Sequence, residues 1–420
     1  MRPTRFVFAA SFDGTTEAKA MPAVYLAIAP VLAALFIQTA GNGLVSTLVP
    51  LRAAIEGFSR PEIGFIGSTY FIGMLAGCWT IPPLIGRIGY IRAFAACAAL
   101  ATVSVLGFAL AVDSNVWAGL RCVMGFAIAG LYNTMESWVN ARAHNKNRGQ
   151  ALALYNMLQF SGSTIGQQIL RVFDPRSFVL FSLSAIFFVL SLVPMAMARA
   201  EPPAPPAKGK VDVLGLYRLA PMGVIGVLLV GLSNGTFWTV VPAVIERMQL
   251  GPGTVANFMT AVIIGSATAP YPIGRLSDMV DRRWVIIGVS LVACIVELLL
   301  FLFRAPSLTL LYVLGYGIGG SISILYSLLA AHTNDRAGPE MVVVVSSTLL
   351  LLYCIGGIIG PFVTSWLMDM LGDRMLFAVN ALCHVVLIAY VGWRVRLREP
   401  PDQLAEPPVP ASPSNPQNIK

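Results

Sequence analysis

Charge is scarce in this 420-residue sequence, since Asp, Glu, Lys and Arg together make up 11% of it, against about 25% in soluble globular domains. Hydrophobic residues make up 56%, so too few charges remain to cover the surface of a soluble globule of this size. The composition therefore excludes an ordinary soluble enzyme and favours a protein that lies in a lipid bilayer.

The residues that build metal and catalytic sites are also few. The six cysteines lie singly inside apolar stretches without a CxxC pair, and the three histidines are scattered, which argues against a metal site and against disulfides. The sequence has no G-x-x-x-x-G-K-[ST], H-E-x-x-H or G-x-S-x-G motif, so neither ATP-driven transport nor embedded hydrolase chemistry is supported. We expect no cofactor, no metal and no enzymatic activity.

Long apolar runs are abundant. A helix that crosses a bilayer needs about 20 mainly apolar residues, because its backbone polar groups must bond to each other. Twelve windows of this kind predict an all-α membrane protein with twelve transmembrane helices: 23–49, 62–85, 93–112, 116–139, 150–171, 177–198, 219–241, 254–274, 284–303, 307–330, 342–368 and 375–395.

The polar segments between these windows predict the orientation. Most of the 28 Lys and Arg residues fall in segments that share a side with both termini, and positive charge is enriched on the cytoplasmic side. Both termini are therefore predicted to be cytoplasmic, and the net charge of +8 does not indicate nucleic-acid binding. The predicted division is an N-terminal cytoplasmic segment (1–20), a six-helix bundle (21–198), a Pro-rich cytoplasmic linker (199–218), a second six-helix bundle (219–398) and a disordered cytoplasmic tail (399–420).

The two predicted bundles repeat each other. Three short patterns recur in the same order at nearly constant spacing: Pro82–Arg87 as Pro270–Arg275, Gly125–Gly130 as Gly315–Gly320, and Gly162-x-x-x-Gly166 as Gly356-x-x-x-Gly360. Six helices followed by six equivalent helices is the arrangement of secondary transporters whose binding site lies between the halves.

One loop carries a resemblance to a known family. The segment Gly274-Arg-Leu-Ser-Asp278-Met-Val-Asp-Arg282-Arg283 resembles the loop signature G-x-L-x-D-R-x-x-R-R of the major facilitator superfamily. Within that family, Met135-Glu-Ser-Trp138 and Asn147-Arg-Gly149 resemble the bacterial YcaD-like branch.

The resemblance implies two pseudo-symmetric six-helix bundles in the bacterial inner membrane. It also implies a monomer that moves a small-molecule substrate by alternating access, as efflux or uptake, with proton coupling open. The alternative is a transporter-like membrane sensor or scaffold that binds a ligand without translocating it.

The same resemblance implies a cytoplasmic gating motif. Its residues are Gly274, Asp278, Arg282 and Arg283, with Arg87 in the matching loop of the first half, where Gly86 stands in place of the usual acid. In the family the acid of this loop accepts bonds from neighbouring arginines. The alternative is that these arginines are ordinary positive-inside loop charges.

Polar side chains inside the predicted helices are the binding candidates. Gln38 and Asn42 share a face of the first helix, and Asn234 and Trp238 share a face of the seventh. In the family these helices line the central cavity, so the pairs are predicted to bind substrate, together with Asn133 in the fourth helix. Amides beside an aromatic wall suit a neutral or weakly polar solute, whereas the alternative is hydrogen bonding between helices.

Ionisable side chains at membrane depth are costly and therefore functional candidates. Arg121 and Glu136 lie fifteen residues apart in the fourth helix, about 60° apart around it, and are candidates for proton coupling. Arg121 could instead reach the interface or pair with Asp113, and Glu136 could bind Arg142 or Arg148. Glu297 and His384, in the ninth and twelfth helices, receive no predicted role.

Overall fold

A computed structural model describes residues 14–142, 148–198, 211–303 and 306–397, with side chains except at 14–27, 148 and 339. The described residues form helices and turns, without strands. The first half contains α1 (Gly14–Ile55), α2 (Arg60–Ile88), α3 (Tyr90–Leu110), α4 (Ser114–Arg142), α5 (Arg148–Ile169), α6 (Val179–Leu190) and α7 (Leu192–Ala196). The second half contains α8 (Val213–Leu219), α9 (Pro221–Arg247), α10 (Pro252–Thr268), α11 (Pro270–Met279), α12 (Arg282–Leu302), α13 (Leu308–Ala337), a 3-10 turn (Pro339–Met341), α14 (Val342–Leu371) and α15 (Met375–Leu397).

These helices build the predicted twelve-helix membrane fold. Among the described residues, ten helical segments are long and apolar enough to cross a membrane on their own, one of them formed by α6 and α7 together. The fifth predicted span, α5, is a helix, but its polar side chains, such as Gln159 and Gln167, make it too polar to count as an independent span. The eighth is divided at Ala269 into the 17-residue α10 and the 10-residue α11, because Pro270 starts a new helix.

Glycines set the packing inside each half and confirm the internal repeat. A Cβ on Gly166 of α5 would lie 2.1 Å from the Ala40 carbonyl oxygen of α1, and one on Gly360 of α14 would lie 2.3 Å from the Leu232 carbonyl oxygen of α9. Only glycine permits such close approach of two backbones. The fifth and eleventh helices thus pack on the first and seventh in the same way, as two halves of one plan require.

The two halves meet mainly through α2 against α14, α1 against α9, and α5 against α10. Their apolar core is shared at the end of the bundle that carries Phe58 and Phe377, whereas Leu216, Val285 and Leu328 belong to a separate core at the other end of the second half. We call the first the closed end. The opposite end, where α7 ends and α8 begins, is the linker end.

Two boundaries differ from the sequence-based division. Helix α1 begins at Gly14, inside the segment 1–20 that was expected to precede the bundle. The predicted linker 199–218 contains the start of α8, which is capped by the Asp212 side chain accepting from Gly215 N at 2.8 Å. Residues 1–13, 199–210 and the predicted tail 399–420 lie outside the described residues, so the domain division stays a prediction.

Candidate functional site

A cavity of about 370 Å³ lies between the two halves, near the middle of the helices. Helices α1, α2, α4 and α5 of the first half and α9, α10 and α14 of the second contribute to its wall. The described residues that line it are Asn42, Gly43, Ser46, Tyr70, Phe71, Met74, Arg121, Tyr132, Gln159, Phe160, Ser163, Gln167, Trp238, Thr239, Ile263 and Tyr353. The wall is therefore aromatic, with amide and hydroxyl groups between the rings.

Arg121 is the one side chain with a formal charge among the described residues that line this cavity. It is 3% exposed, and its guanidinium carbon lies 4.6 Å from the centroid of the Tyr70 ring, a cation–π contact. Among the described residues Arg121 forms no ion pair. Asp113 instead caps the start of α4, since its carboxylate accepts from the backbone N–H groups of Asn115 and Val116 at 3.0 Å.

The amides of the first half converge on a tyrosine. Asn42 on α1 and Gln159 on α5 lie beside the hydroxyl of Tyr132 on α4, and all three line the cavity. Tyr132 was not selected from the sequence. These three polar groups come from three helices, so together they can orient one polar group of a bound molecule.

The second half contributes an aromatic wall. Trp238 lines the cavity, whereas Asn234 is 5% exposed and donates from Nδ2 to the Ile322 carbonyl at 3.1 Å. Asn234 also lies beside Tyr353, which does line the cavity. The structure therefore brings Trp238 to the site directly and places Asn234 behind Tyr353.

Three other predicted residues lie away from this wall. Gln38 is completely buried, and its amide has no hydrogen-bond partner among the described residues. Asn133 is half-buried and accepts a long hydrogen bond of 3.5 Å from Ser137. Glu136 lies near the linker end of α4, close to Tyr155 of α5 and Tyr326 of α13. It forms no ion pair with the described side chains, which include Arg142 but not Arg148. The roles predicted for these residues stay predictions.

A groove of about 590 Å³ lies next to the cavity, between α5 and the helices α10 and α11. Phe160 and Ile263 line both spaces. From there the groove extends past Met157 to Tyr271, towards the start of α5 and α11 at the linker end. The groove therefore lies between the halves, on the linker-end side of the cavity.

Ion pairs hold the halves together at the closed end. Arg60 of α2 donates to both carboxylate oxygens of Asp373, at 2.7 and 3.2 Å, and Arg247 of α9 donates to the same carboxylate at 3.1 Å. Arg247 also donates to the Phe58 carbonyl at 3.0 Å. Burial opposes the ionisation of Asp373, but the bonds from the two arginines outweigh it, so its pKa lies below the usual value.

The predicted gating motif lies at the linker end. Arg282 donates to Asp278 at 3.3 Å and also pairs with Asp335, while Arg283 donates from Nη2 to Asp281 at 2.6 Å. The Asp278 side chain is 74% exposed. A Cβ added to Gly274 would meet open space, and Arg87 is exposed at the end of α2. Asp278 thus contacts its own half in this conformation, and the gating role stays a prediction.

The family model for the Major Facilitator Superfamily matches residues 31–220 and 223–419, so it covers both halves. The chain belongs to the major facilitator superfamily. The "Uncharacterized MFS-type transporter YcaD" of Escherichia fergusonii is 25% identical over 354 residues, which cover 83% of this chain and 91% of that relative. This similarity supports the YcaD-like assignment made from Met135–Trp138 and Asn147–Gly149.

Solved structures of the superfamily share the fold. The nucleoside transporter NupG superposes with a TM-score of 0.74 at 13% identity, covering 87% of this chain and 98% of that one. A bacterial homologue of the human lysosomal transporter Spinster, in an inward-facing and occupied conformation, gives a TM-score of 0.68 at 14% identity and covers 90% and 97%. These matches confirm the major facilitator fold of two six-helix bundles, and membership of this transporter family disfavours the sensor alternative.

Sequence reasoning missed the tyrosines of this major facilitator site and its closed-end ion pairs. Tyr70, Tyr132 and Tyr353 are common residues in apolar helices, and only their rotation about the helix axis brings them to the cavity. Arg60 and Asp373 stand in short polar segments between the predicted helices, each near other charged residues. One signal was available, because two such charges on the same predicted side of the membrane can form a bridge between halves.

Proposed function

We propose that this carrier binds a small organic anion with a flat apolar part in the cavity around Arg121, and that the structure is its cytoplasm-facing conformation. The observation that carries the proposal is the buried Arg121 guanidinium, which lies over Tyr70 in the cavity and forms no ion pair among the described residues. A cation at membrane depth is costly without a counter-charge. A bound carboxylate or similar anion would supply that charge with a planar, two-point hydrogen bond.

The rest of the wall suits the apolar part of such a solute. Phe71, Trp238 and Tyr353 offer ring faces, while Asn42 and Gln159 can orient a second polar group. The cavity volume of about 370 Å³ lies in the range of small-molecule sites. This proposal departs from the expectation of a neutral or weakly polar solute, because it gives the solute one negative charge.

Orientation follows from combining the charge pattern with the geometry. The described arginines of the positively charged segments, such as Arg87, Arg142 and Arg283, lie at the linker end, which positive-inside reasoning assigns to the cytoplasm. The groove beside the cavity extends towards that end, and the ion pairs of Asp373 close the other. The proposed carrier therefore lies in the bacterial inner membrane with both termini in the cytoplasm, and reporter fusions after Pro206 should score as cytoplasmic. We propose that it acts as a monomer.

A ligand-induced thermal shift tests the anion site with simple probe compounds in place of the natural solute. The probes are aromatic carboxylates, each paired with its uncharged amide, such as benzoate with benzamide. We expect carboxylates to raise the unfolding temperature of the wild-type protein, with about 1.4 kcal/mol gained when the ligand stands at ten times its Kd. The amides should have little effect.

Two variants test whether Arg121 causes the stabilisation by carboxylates. Arg121→Gln should abolish the carboxylate effect, whereas Arg171→Gln, at an exposed arginine outside the cavity, should keep it. Equal stabilisation by carboxylates and amides, or an unchanged carboxylate effect in Arg121→Gln, would contradict the proposal.

A further inference from the structure

Four polar side chains meet in the interior of the second half, between α9, α12 and α15. Ser233, Glu297 and Asn380 are 0% exposed and His384 is 1% exposed. His384 Nε2 lies 3.6 Å from Glu297 Oε2 and 3.4 Å from Ser233 Oγ, and Asn380 lies beside the carboxyl group. We call these four residues the buried polar cluster.

The buried polar cluster is poorly satisfied as a static hydrogen-bond network. Both carboxyl oxygens of Glu297, both amide atoms of Asn380 and Nδ1 of His384 form no hydrogen bond of normal geometry with the described residues, although the Asn380 amide lies close enough to the carboxyl group to interact with it. A separation of 3.6 Å also exceeds a normal hydrogen bond. Apolar residues of similar size would stabilise such a site better than a half-satisfied polar network does, so structural stability does not account for it.

The charge of the cluster depends on one proton. An ionised carboxylate in the core of a membrane bundle is unfavourable unless a cation balances it, and at 3.6 Å without a hydrogen bond His384 balances it poorly. A proton on Glu297 beside a neutral imidazole leaves the cluster uncharged. When that proton leaves for water, Glu297 becomes a carboxylate, and the cluster gains one negative charge that the closed surroundings disfavour.

Few other ionisable groups face this pair. Cys294 on α12 and Cys383 on α15 lie close enough to Glu297 to interact with it electrostatically. Helix α9 contributes the Ser233 hydroxyl. Among the described residues of α13 and α14, none with an ionisable side chain interacts with Glu297 or His384. The protonation of this cluster is therefore governed by Glu297 and His384 themselves.

Helix α9 connects the cluster to the cavity. Ser233 points to His384, the adjacent Asn234 donates to the Ile322 carbonyl of α13, and Trp238, one turn further along, lines the cavity. The same helix packs against α1 of the first half. A movement of α9 between conformations therefore changes the surroundings of Glu297 and the wall of the cavity together.

We propose that Glu297 and His384 form a buried proton-binding site of the second half, where Glu297 holds a proton while this conformation is closed around it and releases it to water in another. This site, rather than Glu136 in the first half, would couple the carrier to a proton gradient. The inference rests on the proposed transport function but not on the nature of the solute, so the two can fail separately.

Infrared difference spectroscopy of the full-length protein in liposomes tests proton binding without any solute. Between acid and alkaline pH, the wild-type protein should lose the C=O band of a buried carboxylic acid. Glu297→Gln should lack that band, whereas Glu56→Gln, at the surface ion pair with Arg52, should keep it. A band that survives unchanged in Glu297→Gln, or no such band in the wild type, would overturn the proposal.

His384→Gln guards against a Glu297 variant that fails to fold. The imidazole of His384 can accept a proton and so balance the Glu297 carboxylate. Without it the acid form of Glu297 is favoured, so the pH at which half of the C=O band is lost should be higher. An unmoved midpoint would show that His384 is not part of the site.

Coupling needs a conformational readout. Spin labels at the exposed positions Asn115 and Thr309, which begin α4 and α13 at the closed end, report the distance between the halves. Cys78 and Cys122, the half-buried cysteines among the six, would be replaced first. The wild-type distance distribution should respond to pH, and Glu297→Gln should stay in the acid-form distribution at every pH. A pH response that is identical in the two proteins would refute the coupling role.

Discussion

Arg60 and Asp373 lie 313 positions apart in the sequence, and their side chains join the two halves through hydrogen bonds of 2.7 and 3.2 Å. Each residue stands at the end of a long helix, α2 or α14, and these helices form the main contact between the halves. The pair closes one end of the cavity because it binds the ends of helices that must separate for that end to open.

Asp373→Asn should open the closed end. The substitution leaves Arg60 and Arg247 without their shared counter-charge, at a cost of about 1–2 kcal/mol for partly exposed charged hydrogen bonds. The population open at this end should rise roughly tenfold. Distances between spin labels at positions 115 and 309 measure it.

Asp174→Asn is the matched control for this variant. Asp174 lies in a loop at the same end, and its carboxylate accepts from Arg176 N of the first half at 2.8 Å. Its loss should leave the distances between the halves unchanged. The interpretation of the ion pairs would be wrong if both variants opened the closed end equally.

The closed-end ion pairs should resist mild acid. Because the pKa of Asp373 is lowered in this conformation, its contribution to closure is present above the ordinary Asp pKa of about 3.9 and is lost only as pH falls through the lowered value. Glu297→Gln, which lacks the proposed proton site, should therefore keep a constant label distance from neutral to mildly acidic pH. A distance change in that range would show that the closed end itself titrates.

Gly125→Ala should destabilise the first half. Its Cβ would lie 2.0 Å from the Tyr70 carbonyl oxygen of α2, a backbone atom that cannot rotate away, so we expect a loss of about 1–3 kcal/mol. Gly119→Ala, on the same helix with nothing within 4 Å, should be neutral or slightly stabilising. Thermal unfolding in detergent compares them, and equal midpoints would mean that α2 and α4 do not pack as described.

Asp281→Asn should destabilise the linker end more than Asp278→Asn does. Asp281 caps α12 and bonds to the buried Arg283, and although burial opposes its ionisation, these bonds lower its pKa. The loss should be about 1–3 kcal/mol, against less than about 0.5 kcal/mol for the exposed Asp278. Because the pKa of Asp281 is lowered in the folded protein, its contribution to the free energy of unfolding is present at neutral pH and is lost in strong acid. The reverse order of stabilities in chemical unfolding would contradict this assignment.

The number and order of the helices could be predicted from the sequence because each helix satisfies its own backbone in lipid, which leaves a local apolar signal. The repeat was visible for a similar reason. Gly162 and Gly166, like Gly356 and Gly360, mark the same helix contact in each half, and close packing preserves glycine at that spacing. Helix α5 lacks the apolar character of an independent span, and its place beside the cavity explains this polar composition.

The rotation of each helix could not be predicted with the same success. Gln38 and Asn42 share a face of α1, yet Asn42 lines the cavity and Gln38 is buried in the bundle. The meeting of Glu297 with His384 was also out of reach. Packing among several helices determines which side chains of α12 and α15 face each other. The sequence of one helix alone does not predict this.

Thiol accessibility at the cavity tests the central claim that a water-filled chamber opens to alternate sides. Ser163→Cys places a thiol on the cavity wall, in a background without Cys78 and Cys122, and a membrane-impermeant maleimide is applied to vesicles of each orientation. We predict labelling in inside-out vesicles, and labelling in right-side-out vesicles that rises when Asp373→Asn is added. Labelling from neither side in either protein would contradict the account, because the seam between the halves would then be dry.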